Sequence, residues 1–500
     1  MTSIKSFLAK QFAARIARNI KTWASNPIQT QERVFQALIN SAAQTQFGQD
    51  HNFKTIKTHK DFVHQVPIRD YEGIRPYIDR ILDGDSDVLW KGKPLYFAKT
   101  SGTTSGVKYI PITAVSIKAQ VEASRNAILM YIHETGNSDF VDGKWIFLQG
   151  SPKLSETNGI KTGRLSGISA HYVPSYLLKN RMPSWDANCI EDWETKVEAI
   201  VDETLSENMT AIAGIPSWVQ MYFEKLIEKR QQNVGDIFKK FNLFIYGGVN
   251  FEPYRSKFKT LIGRSVDSVE LYPASEGFFA FQDQQSNKGM LLQLNSGIFY
   301  EFVEADSFFD DNPERITLKD VKIGVNYVII ISTNAGLWAY NIGDTVQFTS
   351  TKPYRIIVSG RIKHFISAFG EHVISKEVDQ ALTKALKATG ASVSEYTVAP
   401  QISPTQGLPY HEWLVEFETP PKDLNQLAQN IDLELQHQNA YYQDLIQGKV
   451  LRELKITMVK KGGFKNYMKA IGKLGGQNKI PRLSNDRKIA DHLHSKNLVN

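Results

Sequence analysis

Short apolar segments alternate with helical ones through the middle of the chain, and no other feature constrains the fold as much. Runs of β-branched and aromatic residues predict strands. Four such runs lie at residues 145–148, 211–214, 243–246 and 269–272. Between the second and third runs, apolar residues recur at helical spacing over 217–229. This alternation predicts a parallel α/β sheet with ligand-binding loops at the carboxyl ends of its strands.

The pattern changes near residue 289, where strand-like segments begin to follow one another without an intervening helix. These segments lie at residues 291–302, 326–333, 345–348 and 355–359. They predict a β-barrel-like subdomain over about 289–360, inside a large N-terminal α/β domain that we place at residues 1–365.

The remaining residues, 366–500, have the pattern of a smaller α+β domain. Helical periodicity recurs at 375–386 and 424–435, and strand-like runs lie at 393–398, 412–417 and 450–459. Glycines are dense near the end of this domain and indicate a mobile loop. They are Gly462, Gly463, Gly472, Gly475 and Gly476.

Composition narrows the classes of function. The formal net charge is only +7, and residues 441–500 carry 13 Lys and Arg against 4 Asp and Glu. A balance this small does not favour a nucleic-acid partner. Because Cys189 is the single cysteine, the sequence allows no intrachain disulfide and no cysteine-based zinc cluster, which favours the cytoplasm. We expect no membrane span and no membrane partner, since no apolar run approaches about 18 residues. We also expect a monomer.

The N-terminus predicts a basic amphipathic helix. Apolar residues from Ile4 to Trp23 recur at helical spacing among lysines and arginines, and no acidic residue precedes Glu32. A transit peptide and a membrane-surface helix have this pattern too, but we favour a helix that packs on its own domain.

A loop rich in glycine and hydroxyl groups follows the first predicted strand, where residues 96–108 read YFAKTSGTTSGVK. Gly102 and Gly106 let the backbone approach a ligand, and backbone N–H groups of such a loop form a nest for an anion. Lys108 adds positive charge, and further donors come from the hydroxyls of Ser101, Thr103, Thr104 and Ser105. The loop predicts phosphate binding, with a plain surface loop as the alternative; no Ser or Thr follows the lysine, so it is not a Walker A motif.

Two later motifs are weak individually. LYPASEG at 271–277 ends a predicted strand, and it offers the Tyr272 ring for stacking, Ser275, and the Glu276 carboxylate for Mg²⁺. AYNIGDT at 339–345 offers Asp344 as an acceptor for the hydroxyls of a ribose. A solvated glutamate and an ordinary turn aspartate are the alternatives.

In combination and in this order, the three motifs resemble the adenylate-forming superfamily. The run VPIRDYEGIRPYIDRILDGDSDVLW at 66–90, the phosphate loop, YPASEG, YNIGD and GQNKIPRLSNDRKIADHL at 476–493 resemble more closely the Gretchen Hagen (GH3) family of acyl-acid amido synthetases, as a bacterial-type member. The resemblance covers most of the chain, from about residue 61 onwards. It implies an ATP-dependent ligase, with a mobile C-terminal domain, that adenylates a small carboxylic acid and passes the acyl group to the amine of an amino acid.

The resemblance also implies roles for individual residues. The loop from Ser101 to Gly106 (Ser101, Gly102, Thr103, Thr104, Ser105, Gly106), with Lys108, matches the loop that holds the ATP phosphates. Gly247 and Gly248 match the pair against the adenine, and Tyr272 matches the residue beside the base. Ser275 precedes the Mg²⁺-binding acid, Glu276, and Asp344 matches the acid that binds the ribose.

Two residues of the C-terminal part also match the superfamily. Arg361, with Gly360, aligns with the Gly-Arg before the interdomain hinge, and Lys479 matches the lysine that reaches the α-phosphate. The usual hinge aspartate is replaced by Lys363, which moves the expected hinge towards Phe369 and Gly370.

Two other functions remain open from the sequence. Coenzyme A is an alternative acceptor for the activated acyl group. A non-catalytic protein that binds ATP or AMP would retain the same loop and carboxylates without turnover.

Overall fold

The computed structural model describes residues 3–101, 107–173, 178–248, 251–362, 365–366, 373–402, 404–447, 450–475, 478–484 and 486–500. It divides into two compact units. The larger unit comprises Met1–Gly248 and Ser265–Ile357, and the smaller unit comprises Val249–Arg264 and Val358–Asn500. The smaller unit thus contains a segment from the middle of the chain, whereas our division after residue 365, which stays a prediction, is a single cut. The expected hinge near Phe369 lies outside the described residues.

The described helices are numbered in chain order. They are α1 Ile4–Ala24, α2 Pro27–Ala42, α3 Gln46–Asp50, α4 His59–Gln65, α5 Tyr71–Leu82, α6 Ala114–Thr135, α7 Leu165–Ala170, α8 Trp185–Cys189, α9 Trp193–Thr204, α10 Pro216–Arg230, α11 Val234–Ile237, α12 Glu252–Ile262, α13 Ser375–Thr389, α14 Leu424–Gln438, α15 Ala440–Gln447, α16 Gly463–Ala470 and α17 Lys488–Ser495.

The described strands are numbered in the same way. They are β1 Tyr96–Ser101, β2 Val107–Ile112, β3 Lys144–Phe147, β4 Ser155–Thr157, β5 Ile160–Gly163, β6 Arg181–Met182, β7 Met209–Ala213, β8 Leu243–Gly247, β9 Asp267–Ala274, β10 Gly277–Phe281, β11 Met290–Leu292, β12 Ile298–Glu304, β13 Asn326–Thr333, β14 Tyr340–Thr351, β15 Tyr354–Arg361, β16 Phe365–Ile366, β17 Val373–Ile374, β18 Ser392–Gln401, β19 Tyr410–Thr419 and β20 Lys455–Val459.

An eleven-stranded sheet forms the centre of the fold, in the order β12-β13-β14-β15-β11-β10-β9-β8-β7-β3-β6. The strands β6, β3, β7, β8 and β9 are parallel, which confirms the parallel sheet predicted from the alternation of strand and helix. The apolar side chains of the central strands β7 and β8 are mostly buried, as expected for strands covered on both faces.

The β-rich stretch continues this sheet. A hairpin from β9 to β10 reverses the strand direction, and β10 to β14 follow without an α-helix among the described residues. This half is strongly curled, because the Phe279 ring of β10 lies 6.4 Å from the Tyr300 ring of β12, although β11, β15, β14 and β13 lie between these two strands in the sheet. The barrel-like part expected at 289–360 is therefore the curled half of the main sheet.

The smaller unit contains a three-stranded sheet, in which β19 pairs antiparallel with β18 and parallel with β20. Helices α13 and α14 pack on one face over a core that includes Leu382, Trp413 and Leu435. The helices predicted at 375–386 and 424–435 are confirmed. The strand predicted at 450–459 is shorter, because Leu451 and Leu454 are buried without joining the ladder.

Helix α1 packs on α6, as favoured from the sequence, but through only part of its apolar stripe. Ala13, Ala17 and Ile20 are buried, whereas Ile4 is 81% and Leu8 59% exposed. Within the described chain, no helix is both long and apolar enough to span a bilayer.

A buried ion pair ties the N-terminal helices to the curled half of the sheet. Glu301 of β12 is fully buried and accepts two hydrogen bonds from Arg315, at 2.8 and 3.0 Å, and one from His59 of α4, at 2.8 Å. Burial alone would raise the pKa of Glu301, but Arg315 and His59 outweigh it and lower this pKa below the ordinary value. The pair therefore stabilises the fold above the ordinary pKa of glutamate, about 4.3, and its contribution is lost as the pH falls below that value.

We predict that Arg315→Met lowers the free energy of unfolding at pH 7 by about 3–5 kcal/mol, because it leaves a carboxylate buried without its partner. Urea unfolding followed by tryptophan fluorescence measures the change. The control is Arg75→Met, whose pairs with Glu72 and Asp79 are half-exposed, with an expected cost below about 1 kcal/mol. Equal losses for the two variants would contradict the prediction.

Candidate active site

The parallel strands of the larger unit end along one edge, and two of them approach very closely there. Gly247, the last residue of β8, pairs with Leu271 of β9. A Cβ atom on Gly247 would lie 2.4 Å from the backbone oxygen of Leu271, so only glycine fits. Gly248 follows with a φ of +84°, which also favours glycine. The glycine pair predicted at the adenine thus lies at the carboxyl edge of the sheet, where open α/β sheets bind ligands.

The structure brings together two motifs that are far apart in the sequence. The Tyr272 hydroxyl of β9 donates a 2.7 Å hydrogen bond to the Asp344 carboxylate of β14. Asp344 lies in an irregularity of β14, where Gly343 has a φ of +87° and the pairing with β13 shifts register. Such bulges are common beside active sites because they redirect a side chain. The hydrogen bond fixes one carboxylate oxygen of Asp344.

Ser275 and Glu276 form the turn between β9 and β10, directly after Tyr272. Ser275 is buried and Glu276 is half-buried. In the part of the chain that the structure describes, no group of three or more His, Cys, Asp or Glu side chains could hold a metal ion.

The predicted phosphate loop joins two antiparallel strands. Ser101 is the last residue of β1, Val107 is the first of β2, and Thr100 pairs with Lys108. The Lys108 ammonium lies 5.5 Å from the centre of the Tyr71 ring. Gly102, Thr103, Thr104, Ser105 and Gly106 lie outside the described residues.

The other two predicted site residues belong to the smaller unit. Arg361 is exposed at the end of β15, and Lys479 is exposed just before the buried Ile480. The structure brings Tyr272 into contact with Asp344. Gly247 ends β8, and Ser275 and Glu276 lie in the turn that follows the adjacent strand β9. Arg361 and Lys479 are placed only with respect to their own unit.

Three residues after Lys479, Arg482 is buried in a network that the sequence analysis did not identify. Its guanidinium donates to the Glu395 carboxylate and to the Tyr254 hydroxyl, the latter at 2.8 Å, and lies 3.8 Å from Asp379. The Tyr396 hydroxyl donates to the same Asp379. Burial alone would lower the pKa of Arg482, but Glu395 leads the groups that raise it well above the ordinary value. The only signal in the sequence is an arginine three residues after the lysine in NKIPR.

Backbone hydrogen bonds fix the same segment to strand β18. The Val398 N–H donates to the Arg482 carbonyl at 2.9 Å, and the Ser484 N–H donates to the Val398 carbonyl at 3.0 Å. The Thr397 hydroxyl donates to the Pro481 carbonyl at 2.7 Å. Lys479 lies two residues before this anchored segment, so its backbone position depends on these bonds.

Solved structures of known proteins share this fold. GH3.15 acyl acid amido synthetase superposes with a TM-score of 0.80 at 18% identity, over 98% of this chain and 96% of that chain. A 2-hydroxyisobutyryl-CoA ligase in complex with 2-HIB-AMP superposes with a TM-score of 0.59 at 13% identity, over 94% of this chain and 91% of the other. The protein therefore has the fold of the adenylate-forming enzymes.

Matches to family models identify one family within the adenylate-forming enzymes. The GH3 family N-terminal domain matches residues 16–189, the central domain 291–361 and the C-terminal domain 376–488, which together cover more than half of the chain. Indole-3-acetic acid-amido synthetase GH3.3 of Arabidopsis thaliana is 20% identical over 99% of this chain and 94% of its own length. Jasmonoyl–L-amino acid synthetase GH3.5 of Oryza sativa subsp. japonica is 22% identical over 84% and 86%. The chain belongs to the GH3 family and is an amide-forming ligase.

We predict that Arg482→Met releases the segment around Lys479 from β18, because it leaves Glu395 and Asp379 buried without their cation. Hydrogen exchange followed by mass spectrometry should show faster exchange at the amides of Val398 and Ser484. Lys473→Met removes an exposed cation from the same region and should leave exchange unchanged. Unchanged protection in Arg482→Met would show that the network does not hold this segment.

Proposed function

We propose that the protein adenylates a small carboxylic acid with ATP and then transfers the acyl group to the amine of an amino acid. The hydrogen bond between Tyr272 and Asp344 is the observation that supports this proposal most directly, because it brings two motifs of a nucleotide site together at the carboxyl edge of the sheet. A ribose has two adjacent hydroxyl donors, and the Asp344 carboxylate retains acceptor capacity beside its bond to Tyr272. The relatives named above are amido synthetases for indole-3-acetic and jasmonic acids, which supports a carboxylic acid and an amino acid as substrate classes.

The chemistry requires two bond exchanges. A carboxylate oxygen of the acid attacks the α-phosphorus of ATP, an O–P bond forms, and the bond to pyrophosphate breaks. The amine nitrogen then attacks the acyl carbon of the adenylate, a C–N bond forms, and AMP leaves with the electron pair of the C–O bond while the amine loses a proton. Because neither exchange needs a protein nucleophile, the residues act by positioning and by charge.

Each proposed residue acts at one part of ATP. Asp344 and Tyr272 hold the ribose and the base, and Gly247 and Gly248 leave room for the adenine. The loop from Ser101 to Gly106, with Lys108, holds the phosphates, and Arg361 contributes to ATP binding. Lys479 stabilises the negative charge that develops at the α-phosphate.

Glu276 is the residue that would hold Mg²⁺, because a half-buried carboxylate in a turn at the strand ends can supply one oxygen ligand. When bound, the ion would neutralise phosphate charge. We further propose that the protein works in the cytoplasm as a monomer.

A substrate screen tests the proposed function. The purified protein is incubated with ATP, Mg²⁺ and each acid of a carboxylic-acid library, crossed with the twenty amino acids, and pyrophosphate and conjugates are measured by mass spectrometry. We expect an amide product for at least one pair. A parallel arm contains coenzyme A in place of the amino acid, and a thioester there without any amide would favour the coenzyme A alternative. Nucleotide binding without pyrophosphate release in any arm would instead support a non-catalytic protein.

We predict that Lys479→Ala lowers the rate of carboxylate-dependent ATP–pyrophosphate exchange by about a hundredfold or more, because it removes charge stabilisation from the transition state. The KM for ATP should change little. Lys473→Ala, which removes another exposed lysine of the same unit, should exchange at the wild-type rate. Exchange at the wild-type rate in Lys479→Ala would exclude this role for the lysine.

A further inference from the structure

Lys196 of α9 is buried in the larger unit, and no described Asp or Glu forms an ion pair with it. Its side chain is almost inaccessible, with the whole residue 2% exposed, and its ammonium donates to two backbone carbonyls, of Gln149 at 3.0 Å and Asn188 at 2.6 Å. Carbonyl oxygens satisfy its hydrogen bonds but carry no net charge. Buried lysines are almost always paired with an anion, because desolvating an unpaired ammonium is costly.

A second cation lies beside this lysine. Arg164 comes directly before α7, and its Cδ atom lies 3.1 Å from the position that a Cβ atom of Gly150 would take, one residue after Gln149. Burial lowers the pKa of Lys196 to about 8, with the neighbouring Cys189 acting to raise it and the charge of Arg164 acting to lower it. Burial likewise lowers the pKa of Arg164. Among the residues that the structure describes, no Asp or Glu forms an ion pair with either cation, so two like charges share a partly desolvated site.

The same site contains amide groups without hydrogen-bond partners. The Gln149 amide nitrogen is buried without an acceptor, and the Asn188 amide, on a residue with no exposed surface, has partners for neither its nitrogen nor its oxygen among the described residues. Buried polar atoms in proteins are nearly always hydrogen-bonded. Two cations and two amide donors that converge on one region have the chemistry of a site for an anion.

This cluster lies at the same edge of the sheet as the residues proposed to bind the nucleotide. Gln149 and Gly150 are the second and third residues after the end of β3, and β3, β7, β8 and β9 are parallel neighbours in this order. The carboxyl end of β3 therefore lies on the same edge as Gly247 and Tyr272. Three strand spacings separate β3 from β9, a distance of about 14 Å. An adenylate and a second small substrate that lie side by side would extend over a distance of this order.

We propose that Arg164 and Lys196, with the amide groups of Gln149 and Asn188, bind the carboxylate of the acceptor amino acid. The inference rests on the proposed function. The carboxylate of the acyl acid is consumed when it joins AMP, whereas the carboxylate of the acceptor stays ionised through both steps. Fixed, preorganised cations suit a charge that does not change. Arg164 is half-buried, and its planar guanidinium is suited to bidentate hydrogen bonding with a carboxylate.

The test compares the acceptor with a matched acceptor that has no carboxylate. Once the screen has identified a productive pair, KM and kcat are measured for the amino acid and for its α-carboxamide with the wild type, Arg164→Gln, Arg164→Lys and Lys161→Gln. Lys161 is an exposed cation of the neighbouring strand β5 and controls for the loss of one charge. ATP–pyrophosphate exchange with the acyl acid alone reports folding and the first step in every variant.

Arg164→Gln should raise the KM for the amino acid about tenfold to a hundredfold, with the KM for the acyl acid in pyrophosphate exchange unchanged. Wild type and Arg164→Gln should use the carboxamide equally poorly, and Arg164→Lys should recover part of the affinity for the amino acid. Lys161→Gln should match the wild type.

Two results would overturn the assignment. One is an unchanged KM for the amino acid in Arg164→Gln. The other is a raised KM for the acyl acid instead, which would show that the cations bind a carboxylate of the acyl substrate. If the wild type forms no amide with any pair, the proposed function fails first, and this outcome is distinct from a failure of the carboxylate site.

Discussion

The eleven-stranded sheet is curled, and this curl is the constraint that brings Gly247, Tyr272 and Asp344 to one edge of the sheet. Strands β9 and β14 are separated by β10, β11 and β15, and a flat sheet would place them about 19 Å apart. The Tyr272 side chain nevertheless donates a hydrogen bond to Asp344, so the antiparallel half must bend back over the end of the parallel half. The close approach of β8 to β9 at Gly247 forms the other side of the same edge. The hydrogen bond from Tyr272 to Asp344 and the close packing at Gly247 thus mark the edge where the two halves of the sheet meet.

The sequence predicted the strands of both halves but not their continuity. Alternating apolar runs identify β3, β7, β8 and β9 because burial on both faces requires them, and the absence of helical periodicity identifies the β-rich part. Which strand neighbours which depends on hydrogen bonds between distant residues, and no local pattern encodes those. The motifs around Tyr272 and Asp344 were found, yet their contact was not, because it arises only from the curl. Arg482 and Arg164 were missed because a single basic residue looks the same whether it is solvated or buried.

Two clusters of buried charge, one in each unit, are compensated differently. In the smaller unit, Arg482 faces Glu395 and Asp379, so each charge has a counter-charge and the network fixes a segment of backbone. In the larger unit, Lys196 and Arg164 are desolvated together with only carbonyl acceptors for the lysine. A paired network favours one structure, whereas an unpaired cluster is a cost that a bound anion would offset. This contrast separates a charge network that stabilises the fold from a cluster that we propose to be a binding site.

Helix α12 shows that the smaller unit is discontinuous in the chain. Tyr254 reaches Arg482 and Lys257 pairs with Glu418, so this helix completes a polar network whose other members are synthesised more than 100 residues later. During translation, α12 leaves the ribosome long before its partners exist, and contacts of such long sequence separation form late in folding. The later segment of the smaller unit therefore does not contain the whole of its polar network, and completion of the unit depends on a helix that is synthesised well before its partners.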